Sequence, residues 1–95
     1  MIIAALFLFF PATNLSAAAE DDFARGVEAY NAGNYEQALD IFKALEDSGY
    51  VSPELYYNLG NSYYKSGQKG MAVASYMQAE ILAPRDEDTR ANLRF

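Results

Sequence analysis

The sequence contains no cysteine, no histidine and no tryptophan. Without Cys and His there is no disulfide, no thiolate nucleophile, no imidazole base and none of the usual zinc-ligand sets. Basic residues are scarce. Seven Lys and Arg stand against thirteen Asp and Glu, a net charge of −6, and no basic run or aromatic–basic interleaving offsets it. That balance argues against a nucleic-acid partner held through its phosphates. The apolar run Ile2–Phe10 is also short, well under the ~20 residues that cross about 30 Å of hydrocarbon. Calcium-loop spacing, a Gly-rich phosphate cradle and a nucleophile elbow are all missing.

The residues that are present form a pattern. From Pro53 to Asp86, Tyr56, Leu59, Gly60, Tyr63, Ala72, Tyr76, Ala79 and Pro84 fall at offsets 4, 7, 8, 11, 20, 24, 27 and 32 of a 34-residue unit. Tyr56, Leu59, Gly60 and Tyr63 recur at i, i+3, i+4 and i+7, one stripe of a first helix, and Ala72, Tyr76 and Ala79 do the same on a second. Gly60 and Ala72 are small enough to let the two axes approach, with Tyr63 and Tyr76 filling the flanks. Ser52 and Pro53 suit the N-cap and first turn of the first helix. Pro84 ends the second by lacking an N–H and by pushing Ala83 out of α geometry.

The same spacing recurs upstream. Gly26, Gly33, Ala38 and Phe42 stand 34 positions before Gly60, Gly67, Ala72 and Tyr76, which is an internal repeat. The spacing predicts a helix from about Glu20 to Ala32, a Gly33-Asn34 turn and a second helix from Tyr35 to about Glu46. Asn34 with Gln37 reads as a capping-box-like start. Asp22, Arg25, Ala29 and Leu45 occupy repeat positions with other residue types, so this first unit is atypical. After Pro84, Asp86 can cap a further helix over 87–95.

The unit resembles a tetratricopeptide repeat, W-x2-L-G-x2-Y…A-x3-F…P, with Tyr at the Trp position. The resemblance implies an all-α fold: a solenoid of two helix-turn-helix repeats, 19–52 and 53–86, with a C-terminal capping or partial third helix. It further implies that offsets 5, 9, 12 and 13 of each first helix line a concave surface. Those positions are Tyr57, Asn61, Tyr64 and Lys65 in the second unit, and Phe23, Val27, Tyr30 and Asn31 in the first. Such a groove accepts an extended peptide or a helix, and tyrosine suits binding surfaces. The plainer alternative is that Phe23, Val27, Tyr30 and Tyr57 pack the first helices of neighbouring units together. Of the residues that hold a partner's C-terminal carboxylate in some family members, Asn58 matches one Asn, but Phe23, Val27, Asp88 and Asn92 stand where Lys, Asn and basic residues are needed, so the clamp is not expected.

Residues 1–19, MIIAALFLFFPATNLSAAA, have the layout of a secretory signal peptide: an apolar run, Pro11, and an Ala17-Ala18-Ala19 site before Glu20-Asp21-Asp22. The basic start is lacking. An exported protein, periplasmic or at the inner membrane facing the periplasm, is the expectation. Charge is uneven: nine acidic against two basic residues from Glu20 to Tyr56, four against five from Tyr57 to Phe95. The acidic clusters Glu20-Asp21-Asp22, Glu46-Asp47 and Asp86-Glu87-Asp88 adjoin helix starts or loops, where they suit the helix dipole and solvent. No catalytic, cofactor-binding or metal-binding residue is expected, and the chain is not read as an enzyme.

The run Leu55–Tyr64, LYYNLGNSYY, with Gly67, Pro84-Arg85-Asp86 and Ala91-Asn92-Leu93, is similar to the repeat protein of the bacterial aerotolerance (Bat) operon. That resemblance implies an envelope scaffold that assembles with other proteins, and that this chain is the N-terminal part of a longer one whose missing C-terminal segments, membrane-spanning and SH3-like in that family, would associate it with the membrane. A self-assembling repeat with no dedicated ligand, or a non-catalytic subunit of an envelope enzyme complex, is the alternative.

Overall fold

The computed structural model describes residues 12–84, with side chains from residue 17 onward. Four helices follow one another: α1 (Ala12–Asn31), α2 (Tyr35–Asp47), α3 (Pro53–Lys65) and α4 (Lys69–Leu82). They pair as two antiparallel hairpins, α1 with α2 and α3 with α4, and α3 packs on α2 to join them. Residues 1–11 of the expected signal peptide over 1–19, and the expected helix over 87–95, lie outside the described residues.

Both hairpins turn in the same way. At Gly33 the N–H bonds to Tyr30 O at 2.9 Å and the next N–H, of Asn34, to Ala29 O at 2.9 Å. At Gly67 the N–H bonds to Tyr64 O at 3.0 Å and that of Gln68 to Tyr63 O at 2.8 Å. These are Schellman closures, and they need the left-handed backbone that Gly33 (φ 86°) and Gly67 (φ 85°) supply. A third closure, at Gly49, ends α2 and leads into the second unit.

Two expectations are corrected. Asn34 does not cap α2 through its side chain. Its backbone (φ −90°, ψ 71°) is committed to closing α1, outside the extended region from which an N-cap side chain reaches back. Helix α1 begins at Ala12 instead of near Glu20, because Ala17-Ala18-Ala19, the strongest helix formers, let the helix continue through them. Ser52 behaves as expected: extended (φ −159°, ψ 155°), its Oγ accepts from the Leu55 N–H at 3.0 Å, and Pro53 opens α3. Helix α4 stops at Leu82, one residue before Ala83, whose backbone (φ −138°, ψ 75°) is non-helical ahead of Pro84.

The core is built from the repeat positions. Ala38, Phe42, Leu59, Ala72, Tyr76 and Ala79 are buried, with Leu45 and Leu55 beside them. Gly26 and Gly60 are buried under aromatic rings. A Cβ on Gly26 would meet Phe42 Cε1 at 2.5 Å, and one on Gly60 would overlap the Tyr76 ring more closely still. The ring pairs repeat as well: Phe23–Phe42 at 5.6 Å and 56°, Tyr57–Tyr76 at 5.9 Å and 57°. In the first unit Tyr50 takes the place that Pro84 holds in the second, and its ring lies 6.4 Å from Phe23.

Candidate functional site

Five tyrosines from all four helices meet on one face. Tyr30 lies in the last turn of α1 with its ring 5.1 Å from that of Tyr35, edge-on. The repeat-equivalent pair is Tyr64 and Lys69, where the ammonium lies 5.8 Å from the ring centre. Between the units, Lys65 Nζ sits 5.6 Å over the Tyr35 ring, a cation–π contact from α3 to α2. Tyr76 donates its hydroxyl to Asn61 Oδ1 across α3 and α4.

The phenols of this face also act on one another. Burial pushes the Tyr76 phenol far above its ordinary value, and the hydroxyls of Tyr57, Tyr30 and Tyr64 add to the rise. Burial likewise raises Tyr30, with Tyr35 and Tyr57 contributing. In each case a second negative charge is disfavoured where several phenols share a partly dry surface.

Of the expected groove residues, the structure brings together Tyr30, Tyr57, Asn61, Tyr64 and Lys65. Tyr64 (40% exposed) and Lys65 are open to solvent. Asn61 is half-buried and holds Tyr76, so part of its hydrogen-bonding capacity is spent inside the protein. Asn31 is exposed at the last residue of α1. Phe23, Val27, Tyr30 and Tyr57 are half-buried and pack against the core, which is the plainer of their two roles. Tyr35, Lys69 and Tyr76 join the site without having been expected there. The signal for Tyr35 and Lys69 was available, since they occupy the same repeat position, one step past the turn.

A second hollow of about 370 Å³ is bordered by Glu46, Tyr56, Tyr63, Met71 and Gln78. Burial raises the Tyr56 phenol, and the Glu46 carboxylate that accepts from it adds to the rise. Among the described residues no cluster of three or more acidic side chains is placed to hold a metal ion, and no helix is long and apolar enough to cross a membrane. Asp22 pairs with Arg25 at 2.5 Å on the surface of α1.

Residues 53–86 match the family model described as tetratricopeptide repeat. The chain is also similar to tetratricopeptide repeat protein 16 of Mus musculus, at 38% identity over 76 residues. That alignment takes in 79% of this chain and 9% of the mouse protein, so the chain spans a small fraction of that relative's length. It also exceeds one 34-residue unit, so the likeness extends beyond 53–86. The chain thus carries a tetratricopeptide repeat within an all-helical fold, and such repeats generally mediate binding between proteins.

Proposed function

We propose that the tyrosine-lined face is a docking groove for a peptide or helix of a partner protein, and that the chain works as a non-catalytic scaffold. The observation that carries this reading is the Lys65–Tyr35 contact, which makes the aromatic surface continuous across both units. A ligand laid along it meets rigid rings with few torsions to freeze, and phenol, amide and ammonium groups at the edge to fix its register. The export-signal layout of residues 1–19 and the LYYNLGNSYY run favour an envelope setting and assembly into a Bat-like complex.

The test is a pull-down from bacterial envelope extract with the full chain and with a Tyr64→Ala, Lys65→Ala double variant. Partners held by the groove are lost from the variant while its helical circular dichroism is kept. Recovery of the same partners at the same yield would sink the groove assignment.

A further inference from the structure

Helices α2 and α4 hold equivalent positions, yet their outward faces differ in kind. On α4 that face carries Met71, Ala74, Met77, Gln78, Ile81 and Leu82. Met71, Met77 and Ile81 are 49%, 53% and 68% exposed. The matching positions of α2 are Gln37, Asp40, Lys43, Ala44, Asp47 and Ser48, mostly polar or charged and all exposed. A helix apolar on nearly all sides is ordinarily covered on all sides.

A following helix packed as α3 is packed on α2 would not supply the cover. Helix α3 packs on α2, and Gln37, Asp40, Lys43 and Asp47 remain exposed beside it. A helix packed on α4 in the same manner leaves this arc open too. The arc also lies away from the tyrosine groove, whose α4 contributions are Lys69 and Tyr76.

We propose that the outward face of α4 is the contact surface for a second copy of this chain, paired antiparallel about a two-fold axis near Met77. This surface is separate from the groove and does not depend on the groove's function. Three observations select a second copy. The arc has no charged residue, whereas the strongly acidic stretch lies in Glu20–Tyr56, so two chains of net charge −6 meet most readily through their second units. The arc is self-complementary: in an antiparallel pair Met71 meets Ile81 and Leu82 of the other copy, and small Ala74 leaves room for the longer Gln78. Flexible Met71 and Met77 fill an imperfect seam. The 14 residues of α4 rise about 21 Å. One helix face of that length offers less than the ~800 Å² per partner of a standard interface, so the dimer is weak and concentration-dependent.

The absence of cysteine makes the test clean. In the full chain, Met77→Cys places one thiol at the axis and Lys43→Cys places one at the matching site on α2. Under mild oxidation the first forms a disulfide-linked dimer and the second stays largely monomeric. Sedimentation of the unmodified chain shows a reversible monomer–dimer equilibrium, and Met77→Glu with Ile81→Glu abolishes it without loss of helicity. Equal crosslinking of the two cysteine variants, or a monomer at every concentration, overturns the proposal. So does dimerisation that survives the double Glu variant. If instead the chain stays monomeric and binds neutral or anionic lipid vesicles, with binding lost in the double Glu variant, the face contacts lipid and the proposal fails.

Discussion

Gly60 lies directly beneath the ring of Tyr76, and Gly26 stands in the same relation to Phe42 34 positions earlier. Each glycine is the space its aromatic occupies. Helix propensity alone favours Ala over Gly by about 1 kcal/mol, so retention of glycine there costs helix stability and gains a close approach. Gly60→Ala is therefore expected to destabilise the fold by about 1–3 kcal/mol through overpacking. Gly70, also helical, has nothing within 4 Å of a Cβ, and Gly70→Ala is expected to stabilise by a few tenths to about 1 kcal/mol. Urea midpoints at unchanged m-value read both. A shift of the same sign in the two variants would contradict the ring-over-glycine account.

Ser52 and Asn34 precede equivalent-looking helix starts but differ in what they do. Ser52→Ala removes the hydrogen bond to Leu55 N–H and is expected to cost about 1 kcal/mol, a fall of roughly 4–8 °C in Tm for a chain of this size. Asn34→Ala removes no cap bond and is expected to leave Tm nearly unchanged. Thermal unfolding followed by circular dichroism separates them, and an Asn34→Ala loss as large as that of Ser52→Ala would show the capping box operating after all.

The hairpins were legible because their determinants are periodic. Gly26, Ala38, Phe42, Gly60, Ala72 and Tyr76 each repeat at a fixed offset, and turns at Gly33 and Gly67 need a residue type that few others can replace. What stayed hidden was non-periodic or shared between signals. Asn34 looked like a cap because the same residue type serves at caps and after left-handed turns, and only the backbone angles decide which. The Tyr76–Asn61 bond joins residues fifteen positions apart, and Lys65 reaches Tyr35 across units; no local spacing encodes either. The outward face of α4 was visible in the sequence only by subtraction, since its meaning comes from the charged residues that α2 carries in its place.

Alkaline stability follows from the raised phenols. Tyr30, Tyr56 and Tyr76 all hold their protons more tightly when folded. A group whose folded value is raised gives its full contribution below the unfolded value, about 10 for tyrosine, and loses it as pH climbs beyond that toward the folded value. Stability should be flat through neutral pH in this respect and fall as pH rises above about 10. Tyr76→Phe removes the largest of these contributions together with the bond to Asn61. It is expected to lower neutral-pH stability by about 0.5–1.5 kcal/mol and to flatten the alkaline decline. Urea unfolding on both sides of that pH tests this, and an equally steep decline in Tyr76→Phe would assign the alkaline loss elsewhere.

The Lys65–Tyr35 contact sets how a groove variant should be interpreted. Lys65 is exposed, and a cation–π pair at an exposed site is worth about 0.5–1 kcal/mol. Lys65→Ala is thus expected to cost no more than that, and part of the cost should vanish when Tyr35→Leu is already present. The double-mutant cycle isolates the coupling because each change removes the pair without burying a new polar group. A coupling of this size leaves the folded population nearly unchanged, so partner binding lost on substituting Tyr64 and Lys65 would report the groove and not the fold. A coupling near zero would instead leave Lys65 unrestrained by Tyr35, and the aromatic surface would be interrupted between the two units where the docking groove needs it continuous.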